Sequence, residues 1–168
     1  IICLGLGLGG VGVFAALWHG LNHSGGKSLA FFSIGRLGQM YGTHDLGALS
    51  GAMRRSPTWG VGFCGGLLAL IGVAPFAIFM SEFQILRAAA ADRAFVVLVF
   101  FLLGVGIVFV GALRHAIAVA WGDEICKPAP QTGGAADAVL VWGALALLLV
   151  LGLWMPGPLR SALDAAAS

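Results

Sequence analysis

His19, His23 and Lys27 stand four residues apart in an otherwise apolar run, FAALWHGLNHSGGKSLAFFSIGRLG, and this spacing is the first sign of chemistry in the sequence. On an α-helix, residues at i, i+4 and i+8 rise about 6 Å from one to the next and form one slanting stripe. Histidine changes charge near neutral pH. A lysine at mid-membrane costs about 2.5–3.5 kcal/mol on insertion scales and is tolerated where it faces a bundle interior or a hydrated cavity. With water bridging the gaps, such a row can hand protons along. The plainer reading is interhelical hydrogen bonding, worth about 1–2 kcal/mol per polar side chain, but three titratable groups on one stripe favour conduction.

Glu82 is the fourth candidate. It follows the interruption Gly72-Val73-Ala74-Pro75 closely, with Ser81 beside it, and an acidic group beside a broken helix is a natural proton or cation site because water and unpaired backbone groups gather there. Arg114 and His115, near the end of a later apolar run, are candidates to extend a polar path, although residues that snorkel from a helix end look the same.

Other chemistries fail on single residues. Gly26-Lys27-Ser28 resembles the end of a P-loop, but Leu21 stands where that motif needs glycine and no strand precedes it. His19 and His23 have the spacing of a helical zinc pair, yet Gly20 occupies the place of the glutamate such a site would carry. A haem ligated by one of these histidines has no support. Cys3 and Cys64 lie in apolar runs and Cys126 in a polar loop, without CxxC spacing. No cofactor or metal is expected in this chain. A formal net charge of +2 without a basic cluster argues against nucleic acid.

The elements that must position these residues follow from composition. The chain is 60% hydrophobic and 10% charged, against about 25% charged in soluble domains, and its apolar blocks are long enough for helices of about 20 residues that cross a hydrocarbon core. Residues 1–9 are too short to span and read as the tail of an earlier helix, so the chain is expected to be an internal or C-terminal fragment. A Gly-Gly turn follows, then a span over residues 13–38. Residues 39–57 form a loop outside the membrane with one short surface helix around 45–53. Residues 58–91 form one crossing, broken at Pro75, because proline removes a backbone hydrogen bond and a break at membrane depth must line a cavity; two short helices joined by an interfacial loop are the alternative. Further spans cover residues 93–121 and 138–155, the latter stopped by Pro156 and Pro158. The loops carrying Arg36, Arg54, Arg55, Arg114 and Lys127 then share one side, which the positive-inside rule places in the cytoplasm.

HGLNHSGGKSLAFF, GTHDLGALSGAMRRSP and LLALIGVAPFAIFMSEF occur here in the order and spacing used by the antiporter-like, proton-conducting membrane subunits of respiratory complex I, Mrp-type cation/proton antiporters and membrane-bound hydrogenases, and the chain resembles that family over residues 1–122. The tail, ending LGLWMPGPLRSALDAAAS, looks most like the branch formed by the F component of hydrogenase-4, of formate hydrogenlyase type. The resemblance implies an all-α, polytopic transmembrane helix bundle, an antiporter-like fold with a discontinuous helix. The chain would hold much of the second inverted repeat, as a partial proton-conducting domain over 1–122, then a loop and C-terminal transmembrane helix over 123–168. His19, His23 and Lys27 match the family's central hydrophilic axis, and Glu82 its charged residue in the second broken helix. The first-repeat lysine and glutamate are not in this chain, so it is not expected to conduct alone. Ala74 replaces a proline, which predicts a milder break, and Gly25-Gly26 replace bulkier residues, which predicts a looser helix or a wider water pocket.

The function expected is proton translocation in the cytoplasmic (inner) membrane by a multi-pass, non-catalytic subunit of a redox-driven complex. Its partners would be other membrane subunits and a peripheral hydrogenase or dehydrogenase module carrying Fe–S clusters and, in the hydrogenase branch, NiFe. An Mrp-type monovalent cation/proton antiporter subunit and a structural membrane anchor for a peripheral redox module are the alternatives.

Overall fold

The computed structural model describes residues 1–123 and 134–168, and among these the ordered elements are all helical. They are α1 (Ile2–Leu8), α2 (Val11–Tyr41), a 3₁₀ turn (Leu46–Leu49), α3 (Ala52–Arg55), α4 (Pro57–Leu70), α5 (Ala77–Ala91), α6 (Phe95–Trp121), α7 (Ala135–Leu153) and α8 (Gly157–Ala167). Cys126 and Lys127 lie outside the described residues. Two helices, α6 and α7, are both long and apolar enough to cross a membrane. At 31 residues α2 is longer, about 46 Å, with its apolar character diluted by the polar stripe.

α2 is the spine. It starts after Gly9 and Gly10, whose φ of +68° and +45° turn the chain away from α1. It runs unbroken through Gly25-Gly26 to a left-handed Gly42. α4 and α5 both pack along it while barely touching each other. The register descends steadily: the Arg36 guanidinium lies 6.0 Å from the Trp59 ring, Ser33 faces Gly62, Ala30 faces Gly66, and Gly26 faces Leu70. Beyond the break the same descent continues, with Ile78 still at Gly26 and Ser81 at His19. α4 and α5 thus form one broken rod antiparallel to α2, and the break sits beside Gly26, the midpoint of α2. The two helices stack end to end along α2 and are not a side-by-side pair joined by a loop.

The seam is close because it is built of small residues. Gly62 and Gly66 are spaced as in GxxxG, and a Cβ on Gly66 would meet the Ala30 backbone nitrogen at 3.1 Å. Gly26 belongs to this seam: Leu70 fills the space over it, at 3.0 Å from a built Cβ. The expected widening at Gly25-Gly26 is therefore not found, because the neighbouring helix closes in where the side chain is missing.

The break itself is ended by glycine before proline acts. Gly72 has φ +72°, Val73 N–H donates to Leu68 C=O (3.2 Å) and Gly72 N–H to Ala69 C=O (3.3 Å), which is the Schellman closure of α4. Six residues, 71–76, separate the two helices, so Ala74 in place of a proline does not make the break mild. α7 seals it from outside, with Gly152 so near that a Cβ there would collide with the Pro75 carbonyl.

Two local expectations are corrected. The single surface helix around 45–53 is instead the 3₁₀ turn and α3, with Leu49 and Ala52 fully buried against neighbouring helices; Gly51, at φ +77°, divides them. Beyond Pro156 the chain re-forms α8, which lays Leu159 and Leu163 inward and packs on α2. Arg36, Arg54, Arg55 and Arg114 fall at one end of the bundle, where Gly122 meets Ser50 and Asp137 lies 4.0 Å from Arg36.

Candidate functional site

His19 is held on both sides. Its helix buries it to 3% exposure, and its Nδ1 lies 3.0 Å from Ser81 Oγ on α5. Ser81 in turn donates its hydroxyl to the Ile78 carbonyl at 2.8 Å. With its own proton directed at that carbonyl, the serine oxygen is placed to accept from His19 when Nδ1 carries a proton, and in that tautomer Nε2 is the ring's acceptor. His23 stacks on His19, ring centroids 5.5 Å apart and 24° from parallel, as the i, i+4 spacing requires.

Glu82 is buried to 8% exposure in the second turn of α5, where its carboxylate folds back over the break so that Oε2 occupies the place of a side chain on Gly72. His19, His23 and Glu82 open into one cavity of about 360 Å³ beside the break, walled on the far side by α6 from Phe100 to Val108. Such a volume holds several waters, each needing about 30 Å³. Polar groups from two helices and a broken backbone here share a space that water can enter, and this can pass protons between imidazole and carboxylate.

Lys27 is not in that cavity. Exposure increases down the stripe, with His19 buried, His23 half-buried and Lys27 exposed. The reason is geometric: at 3.6 residues per turn each step of four advances about 40° around the helix, so Lys27 lies about 80° from His19. Arg114 and His115 are exposed near the far end of α6, and His115 lines a different cavity. Among the described residues no cluster of three or more metal-ligating side chains occurs. The clasp of Ser81 on His19 was visible in sequence only as a serine beside Glu82; the part played by Gly72 had a signal, a glycine three residues before a proline at the end of an apolar run.

The NADH:quinone oxidoreductase/Mrp antiporter transmembrane family matches residues 1–108, well over half of the chain. The chain belongs to this family. The antiporter family match covers α1 to α5 and the first half of α6, the elements that build the cavity. Among relatives, the hydrogenase-4 component F homolog of Methylacidiphilum infernorum is 41% identical over 92 residues, 54% of this chain and 19% of that protein. A Na(+)/H(+) antiporter subunit of Bacillus subtilis is 30% identical over 125 residues, 74% of this chain and 25% of that protein. The chain thus spans about a fifth to a quarter of the length of these relatives, and it is a membrane protein.

Proposed function

We propose that this chain forms part of a proton-translocating subunit in a redox-driven membrane complex of hydrogenase-4 or NADH dehydrogenase type. The observation that carries the reading is the cavity in which His19, His23 and Glu82 meet beside the broken α4–α5 crossing. Glu82 is the terminal site, His19 and His23 are bridges, and Lys27, on its flexible four-carbon stem, is the switchable relay at the edge of the groove. α2, the α4–α5 pair, α6 and α7 cross a bacterial-type inner membrane, with the arginine-bearing end in the cytoplasm. Fe–S clusters and a NiFe centre reside in partner subunits, and this subunit couples their electron transfer to proton movement without catalysing it. The likeness to the Methylacidiphilum protein supports the hydrogenase branch. The likeness to the Bacillus antiporter protein supports a second reading, monovalent cation/proton exchange through the same groups.

The test uses the intact membrane complex in sealed vesicles. Glu82→Gln and Lys27→Ala are expected to lower proton transport by about tenfold or more, the scale of losing a positioned acid–base group, while electron transfer in the peripheral module falls less. Unchanged pumping in both variants refutes the path and leaves the chain a structural anchor. Transport that requires Na⁺ or K⁺ without any redox substrate favours the antiporter reading.

A further inference from the structure

We propose that the path continues past Lys27 into a second cavity and ends at His44 and His115, a pair of imidazoles that exchanges protons with water at the arginine-bearing end of the bundle. This rests on the functional reading above and extends it. The second cavity, of about 460 Å³, has the same three walls as the first. The first reaches Leu70 on α4 and Val108 on α6, and the second begins at Leu67 and Ala112. Those offsets are three and four residues, about 4.5 and 6 Å of helix rise. On α2 the first cavity ends at His23 and the second begins at Phe31. The residue midway between them, four from each on the same ridge, is Lys27.

The two cavities are therefore stacked in one groove between α2 and α6, which face each other with almost no direct packing. Lys27 stands at the waist, where its stem lets the ammonium group swing toward either side. The lower cavity is mostly apolar, and its polar lining is Thr43, His44 and His115. His44 comes from the turn after α2, where Gly38 leaves room for its ring; a Cβ there would lie 3.3 Å from Nδ1. Both histidines are exposed and both stand near the arginine-bearing end, His44 in the turn after α2 and His115 about two turns before the end of α6. Among the described residues, the other charged groups at this end do not line the cavity: Asp45 accepts from Gly47 N–H at 3.0 Å, Arg36 faces Gln39 and Asp137, and Arg54, Arg55, Arg114 and Asp123 are absent from its lining.

The experiment compares His44→Ala/His115→Ala, His44→Gln/His115→Gln and Glu82→Gln in the intact complex, with and without added imidazole. Both double variants are expected to slow proton transport severalfold, and imidazole, small enough for the vacated cavity, restores most of the rate in the alanine pair. Glu82→Gln is expected to lose transport without rescue. The inference is overturned if either double variant, at normal abundance, pumps like wild type while Glu82→Gln fails, or if the slowed alanine pair ignores imidazole. If Glu82→Gln also pumps normally, the functional reading itself falls, and this one with it.

Discussion

Gly72→Ala tests the coupling between the break and the carboxylate. The substitution acts twice. At φ +72° an L-residue costs about 1–2 kcal/mol, enough to change the folded-to-unfolded ratio by about 5- to 30-fold. The new methyl group also takes the space held by Glu82 Oε2, and because the carboxylate ends a flexible side chain it yields and leaves its position over the break. The amount of assembled complex should therefore fall modestly, while transport per assembled complex falls by about tenfold or more, as for loss of a placed acid–base group. Glu82→Asp shortens the side chain by one methylene and removes the collision, so Gly72→Ala/Glu82→Asp should pump no more slowly per complex than Glu82→Asp alone. The assay is proton uptake by proteoliposomes normalised to assembled complex. Wild-type transport per complex in Gly72→Ala, or a double variant whose loss is the product of the two single losses, refutes the reasoning, since residues in contact should not add.

Gly152→Ala should destabilise the complex by about 1–3 kcal/mol, the usual cost of overpacking, because its methyl group meets backbone at Pro75 and Ala77; a thermal-stability measurement in detergent that shows no loss refutes the proposed seal by α7. Arg36→Ala should change stability by less than about 1 kcal/mol despite its ion pair and its aromatic neighbour, because the 4.0 Å pair with Asp137 is partly exposed; the same measurement checks it.

The long helices were legible in sequence because their apolar blocks and glycine and proline punctuation act locally. The break at 72–75 and the shared side of Arg36, Arg54 and Arg114 come from that information alone. Four features were not legible, each for a physical reason. Whether Lys27, about 80° around the helix from His19, falls inside or outside the cavity depends on where α6 stands, which only tertiary packing fixes. The closure of Leu70 over Gly26 depends on the register between α2 and α4. α8 was hidden by Pro156 and Pro158, which read as a stop although proline in a first helical turn also starts a helix. His44 sits in a turn that reads as solvent-facing loop, and nothing in the local pattern shows that the end of α6 comes to meet it.

α4 and α5 hold to α2 far more than to each other, so the angle at their joint is inherited from the unbroken helix. α7 braces the same joint from outside at Gly152, so the shape of the break is set by neighbouring helices and not by its own backbone.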